Sequence, residues 1–343
     1  MALKKSCRIP GLSSDQLMTK LREFREMIEE GLSKLPLSKK SSELFDPIRY
    51  VLTLGGKRMR PILTLIACDL FGGKPEQALD AAIGIELFHN FSLVHDDIMD
   101  KAPLRRNQAT VHERWNQNSA ILSGDAMLIL AYQQIAKVPQ GKIPSILELF
   151  NQTALQVCEG QQLDMNFESS NQVSIAQYLG MIELKTAVLL AACLKIGAVV
   201  GDASEQDAER IYQFGKNMGL AFQLQDDILD VYSESHLFGK QKGGDIISNK
   251  KTFLLLKAME LSQRMPYKQE ELMQWVHAPE FDPEAKVQAI TGIYDYFQIR
   301  ALAQTKLETY YHKALALLDE IEVAPEKKEI LQTLTASLIL REV

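Results

Sequence analysis

The sequence predicts an all-α fold, one large domain over residues 1–343. Three observations carry that expectation. Apolar residues recur at helical spacing, breakers fall between helix-length stretches, and no alternating apolar–polar run is bounded by a hairpin turn. Leu17, Leu21, Phe24, Ile28 and Leu32 step by four, three, four and four, which lines one face of a first helix. Ser13-Ser-Asp-Gln16 just ahead has the form of a capping box. Breakers follow at "PLSKKSS" (36–42), "FGGKPEQ" (71–77), "KVPQGKIP" (137–144), "ESSNQVS" (168–174), "RMPY" (264–267), "HAPEFDP" (277–283) and "VAPE" (323–326). No Asn-Gly or Asp-Gly dipeptide occurs, and no long linker or short tandem repeat divides the chain. The length implies roughly ten or more helices at ordinary helix size.

Composition narrows the function classes. Apolar residues make up 46% and charged residues 24%, as in a soluble globular protein. A net charge of −6 argues against a nucleic-acid partner. Cys7, Cys68, Cys158 and Cys193 are scattered without a Cys-x-x-Cys pair, which fits a reducing, cytoplasmic setting. "MALKKSCRIPGLSSDQ" has basic residues but no apolar core behind them, so it does not read as a signal peptide. The longest apolar run, Ala187 to Leu194, is too short to span a bilayer.

Two acidic clusters carry the chemistry. "LVHDDIMD" (93–100) and "FQLQDDILDVY" (222–232) both spell Asp-Asp-x-x-Asp, each beside apolar residues. Lys74-Pro75 to Asp100 reads as one helix, with proline in its first turn and Pro103 just beyond its end. Asp96 and Asp100 then share a face, as do Asp226 and Asp230, and like charges at that spacing repel. Partly buried carboxylates are costly without compensation. A lone acidic cluster is ordinarily a solvated patch; two at the same spacing argue against that. A divalent cation relieves such crowding, and Mg²⁺ prefers carboxylate oxygens shared with substrate phosphates. No His or Cys stands at zinc-ligand spacing.

A cation shared with phosphate calls for basic residues nearby. "LGGKRMRP" (54–61) offers a Gly-Gly turn with Lys57, Arg58 and Arg60, where backbone N–H groups could hold an anion. Arg105-Arg106 trail the first cluster, and Lys240, Lys242, Lys250 and Lys251 trail the second. Lys185-Thr186 interrupts an otherwise apolar helix. The combination points to a polyanionic ligand bound with Mg²⁺.

Five segments in order, "GGKRMRP", "HNFSLVHDDIMDKAPLRR", "ELKTA", "FQLQDDILD" and "GKQKGGDIISNKKT", resemble the trans-isoprenyl diphosphate synthases of the polyprenyl synthetase family. They span positions 55 to 252. The resemblance implies an isoprenoid-synthase-like helical bundle around a central cavity, usually homodimeric. It implies head-to-tail condensation of isopentenyl diphosphate with an allylic prenyl diphosphate. Asp96, Asp97 and Asp100 match the first aspartate-rich motif and Asp226, Asp227 and Asp230 the second, with Asp96, Asp100 and Asp226 as direct Mg²⁺ ligands. Lys57, Arg60, His89 and Arg106 match positions that bind isopentenyl diphosphate. Arg105, Lys185, Thr186, Gln223, Lys240 and Lys250 match those that hold the allylic diphosphate. A satisfied core histidine is the alternative reading of His89.

The resemblance also bears on product length. Phe91 stands five residues before Asp96 and Phe88 eight, about 7.5 Å and 12 Å back along the helix. Short-chain members carry a large residue at the first of these positions, flooring the pocket into which the growing tail descends. Small Ser92 beside it leaves room, which favours a C20 product with C15 next. Ordinary core packing is the alternative for both rings. The first motif lacks the two extra residues of some members, and "SLILREV" offers only Arg341 where some have a more basic tail. A terpene cyclase or head-to-head synthase would not need the "GGKRMRP" segment with Arg105-Arg106. A non-catalytic subunit would be expected to lose motif residues, and a di-iron bundle would want Glu-x-x-His ligands.

Overall fold

Pro75 opens the helix that organises the molecule. Its missing N–H costs nothing in a first turn, and the Lys74 backbone N–H ahead of it donates to Gln77 Oε1 at 3.1 Å. The computed structural model describes residues 14–38, 40–170, 172–233 and 243–339. In chain order its helices are α1 (Ser14–Ser33), α2 (Ser42–Thr53), α3 (Met59–Leu70), α4 (Pro75–Met99), α5 (Val111–Arg114), α6 (Gln117–Ile135), α7 (Ile143–Ser169) and α8 (Ile175–Ile182). They continue with α9 (Val188–Val200), α10 (Glu205–Tyr232), α11 (Gly244–Ile247), α12 (Phe253–Ser262), α13 (Pro266–His277), α14 (Pro283–Tyr296), α15 (Ile299–Asp319) and α16 (Pro325–Ile339). The expected all-α architecture is present. Pro266, Pro283 and Pro325 open their helices as Pro75 does.

The α1 face reads as expected: Phe24, Ile28 and Leu32 are buried, with Leu17 and Leu21 packed against the same core. That core gathers α1, α3, α4, α6 and α9, and a second gathers α8, α10, α12, α14 and α15. α9 is apolar nearly all round and sits between α3 and α10. α4 ends against the first core, through Val94 and Ile98, and α10 against the second, through Ile228 and Val231.

Two expectations need correction. A short antiparallel pair, β1 (Leu104–Arg105) with β2 (Gln108–Ala109), follows the first acidic motif. Its turn is Arg106-Asn107, both at positive φ of 53° and 61°, so the turn chemistry exists without an Asn-Gly spelling. Second, Lys185-Thr186 does not sit inside one long helix. Glu183–Ala187 is a π turn joining α8 to α9. The left-handed turn at Gln298 ends α14 without the Pro or Gly that would announce it.

Candidate active site

Asp96, Asp97 and Asp100 lie where α4 ends, and Asp226, Asp227 and Asp230 where α10 ends. Helix C-termini carry partial negative charge, so both positions add to the cost of crowded carboxylates. Compensation comes from other elements. At the end of α4 the Arg105 Nε lies 2.8 Å and 2.9 Å from the two Asp97 oxygens. Its Nη2 reaches Asp96 at 3.3 Å. Burial raises the Asp97 carboxyl above its ordinary range, and the Arg105 fork opposes that rise. Lys185 donates to Asp96 at 3.2 Å and to Asp164 at 2.6 Å. Asp100 is pushed up to about 6, first by desolvation and then by Asp96.

The second motif is held differently. Asp227 is buried and accepts hydrogen bonds from the Tyr178 hydroxyl and, at 3.2 Å, from Gln223 Nε2. Desolvation, then the Asp245 charge, pushes it up to about 7. Gln223 Oε1 in turn accepts from Thr186 at 3.2 Å. Asp230 accepts the Asp245 backbone N–H at 3.1 Å, fixing the turn at Gly243, whose φ of 73° suits glycine. Desolvation would lower Lys250, but Asp245, Asp164, Asp227 and Asp100 outweigh it and hold the ammonium charged. Lys250 thus feels carboxylates of both motifs, which brings the two ends into one site.

The π turn presents Lys185 and Thr186. Such a turn carries one residue more than a regular helical turn and so re-aims side chains. Gly160 on α7 makes room: a Cβ there would stand 2.3 Å from the Lys185 nitrogen.

Two cavities share a wall. The larger, about 360 Å³, is lined by Asp96, Lys185, Thr186, Ser92, Phe91 and Phe88. Phe88 is 1% exposed and packs on Phe91 and Phe150 with ring centroids 5.6 Å and 5.3 Å apart. It is both a core residue and part of the cavity lining. The smaller cavity, about 210 Å³, is lined by Lys57, Arg106 and apolar Met218 and Phe222. Arg60 and His89 line both. Burial, then Arg60, Arg106, Arg105 and Arg58, hold the His89 imidazole far below its ordinary pKa. It is neutral, so its Nε2 accepts from Arg60 Nη1 at 3.1 Å. Arg106 donates to the Gly55 carbonyl and lies against Gly56, where a Cβ would come within 2.7 Å.

Arg58 corrects the reading of the Gly-Gly turn as a uniformly basic anion site. Its side chain is 1% exposed and pairs with Glu86 at 2.6 Å and Glu29 at 2.9 Å. It braces the turn. Arg105 lines neither of the two cavities and is engaged by Asp97. Lys240, Lys242 and Arg341 lie outside the described residues. Asp164, Tyr178, Asp245 and Gln161 were not anticipated; Gln161 Nε2 lines the larger cavity, buried and without a partner among the described residues.

The donors near the motifs are carboxylate oxygens, which suits a hard cation such as Mg²⁺. Among the described residues no three His, Cys, Asp or Glu side chains converge as a ready-made metal cage. A cation here would complete its shell with water or ligand oxygens, as Mg²⁺ prefers.

The family model for polyprenyl synthetases matches residues 41–294. The geranylgeranyl diphosphate synthase of Methanosarcina mazei is 34% identical over 323 residues, 92% of this chain and 96% of that protein. The geranylfarnesyl diphosphate synthase of Natronomonas pharaonis is 35% identical over 266 residues, 72% of this chain and 78% of that one. A crystal structure of a geranylgeranyl pyrophosphate synthase matches with TM-score 0.89 and 40% identity, covering 94% of this chain and 99% of its own. That of the geranylgeranyl pyrophosphate synthetase from Pyrococcus horikoshii matches with TM-score 0.89 and 31% identity, over 96% and 99%.

Proposed function

Because the chain belongs to the polyprenyl synthetase family, we propose that it condenses isopentenyl diphosphate head to tail with an allylic prenyl diphosphate. The product is a short all-trans prenyl diphosphate, C20 first and C15 next. The observation that carries this is the pair of cavities sharing Arg60 and His89. Two diphosphates need two basic beds, and their reacting carbons must meet at a common wall.

Lys57, Arg60, Arg106 and neutral His89 bind isopentenyl diphosphate in the smaller cavity. Lys185 and Thr186 hold the allylic diphosphate in the larger one, Gln223, Arg105 and Lys250 serve it from beside the acidic motifs, and Lys240 is assigned to it by its place in the matching segment alone. Mg²⁺ held by Asp96, Asp100 and Asp226 would supply Lewis acidity to the leaving diphosphate. The allylic C–O bond breaks, the isopentenyl double bond attacks the cation, and the proton lost from the new bond's neighbour goes to the released diphosphate. Lys185 and Arg105 stabilise that departing charge. Phe88, Phe91, Val157 and Leu189 exclude water from the cation. Phe91 and Phe88 floor the tail's path.

Residues 1–343 act as one domain in this reading, in a reducing cytoplasm. Cys68, Cys158 and Cys193 are free thiols, and no described helix is long and apolar enough to cross a membrane. A homodimer is supported by the apolar outer face of α6 and α7, where Leu122 is 59%, Ile129 60% and Leu155 63% exposed. Incubating the protein with isopentenyl diphosphate, each allylic starter in turn and Mg²⁺, then sizing the products, tests the proposal. Cyclic or head-to-head products, or none, would refute it.

A further inference from the structure

We infer that His95 is a positioning residue for product length, acting by holding the Phe91 ring across the floor of the larger cavity. The inference rests on the reading of that cavity as the bed of the growing chain. His95 stands one turn beyond Phe91 on α4, and the two rings meet edge to face with centroids 4.8 Å apart. On its far side the imidazole is fixed to α6. Its Nε2 lies 3.2 Å from the Ile121 carbonyl, which can only accept, so Nε2 carries the proton. Asp125 Oδ1 lies 3.9 Å from the same nitrogen. The ring also lies against the α6 backbone at Gly124. A Cβ there would stand 2.3 Å from Nε2 and 2.5 Å from Cδ2.

His95 is therefore wedged between a neighbouring helix and the floor ring. Phenylalanine side chains choose among a few staggered wells, and a neighbour that fills one well leaves the others. With the imidazole in place, Phe91 cannot swing toward α6. Truncating His95 empties that well and lets the ring move off the tail's path. The packed wedge also explains why α6 carries glycine at 124.

The test uses the full chain with Mg²⁺, isopentenyl diphosphate and one allylic starter, and reads the product-length distribution. Phe91→Ala should shift the main product at least one five-carbon unit longer. His95→Ala should give a mixture of the wild-type product and the next longer one. His95→Ala/Phe91→Ala should match Phe91→Ala alone, because a residue acting through Phe91 has nothing left to position. Gly124→Ala reaches the imidazole from the other helix. It should change the distribution in the wild type and leave it unchanged in the His95→Ala background. Wild-type products from His95→Ala, alongside longer products from Phe91→Ala, would overturn the inference alone. So would additive lengthening in the double variant: His95 itself lines the cavity, and that outcome would make it set length directly and not through Phe91. A wild-type protein that forms no prenyl diphosphate would overturn the functional reading and this inference with it.

Discussion

At the end of α4 the middle carboxylate of the acidic triplet, Asp97, is gripped by the Arg105 fork. At the end of α10 its counterpart Asp227 takes hydrogen bonds from the neutral Tyr178 and Gln223. The spelling is the same and the compensation is not. The first motif arrives with countercharge in contact, from Arg105 and Lys185. In the second, Asp227 takes neutral donors and Asp230 a backbone N–H, with Lys250 raising the local positive field. The lesson is that a repeated motif records a shared demand for positive charge and says nothing of how the resting protein meets it.

The largest effect should be in catalysis. Asp96→Ala and Asp226→Ala should each lower kcat by about a hundredfold or more, since each removes a preorganised electrostatic element. Circular dichroism should show both folds retained. Near-normal turnover at saturating Mg²⁺ would remove that residue from the ligand set.

Stability gives the next contrast. Arg105→Leu leaves the Asp97 carboxylate, 5% exposed, without its cation and should cost about 3 kcal/mol in denaturant unfolding. Tyr178→Phe removes one neutral donor and should cost about 1–2 kcal/mol. Equal losses would erase the distinction between charged and neutral compensation.

Steady-state kinetics then sharpen the division of basic residues. Lys57→Ala should raise KM for isopentenyl diphosphate roughly tenfold, the value of one charge-assisted hydrogen bond. Lys185→Ala should act on the allylic substrate instead. Interchanged or equal effects would show the division to be wrong.

The smallest effect is in pH. Asp100 and Asp227 are raised from 3.8 to about 6 and about 7. Between those limits the folded, metal-free protein holds protons that the unfolded chain has released, so its stability falls as pH rises from the unfolded value through the folded ones. Mg²⁺ favours the ionised carboxylates. The gain in Tm on adding Mg²⁺ should therefore be larger at about pH 8 than at about pH 5.5. A gain independent of pH would mean that these carboxylates do not face the metal.

Much of this site was legible because helix physics is local. The step of Leu17 to Leu32, the prolines at 75, 266, 283 and 325, and the spacing of Asp96 and Asp100 need only a few neighbouring residues to be read. Asp164, Tyr178 and Asp245 were illegible for the opposite reason. Each meets the motifs from a distant part of the chain, as Asp164 reaches Lys185 across 21 residues and Tyr178 reaches Asp227 across 49. Arg58 looked like its basic neighbours, and only Glu86, a lone carboxylate in the apolar body of α4, hinted that it is buried. The Arg106-Asn107 turn escaped because left-handed backbone was sought at glycine.

The π turn at Glu183–Ala187 has the arithmetic of an insertion: one residue more than the helix needs, absorbed as a bulge. Deleting Leu184 would return the segment to regular helical register and let α8 run smoothly into α9. It would also turn the residues on one side of the bulge by about 100° relative to those on the other, the angle of a single helical residue. Lys185 would then no longer face both Asp96 and Asp164. The backbone irregularity is a reading-frame device in space: it is worth keeping only while something anionic must be met there, and a chain released from that task would be free to lose it.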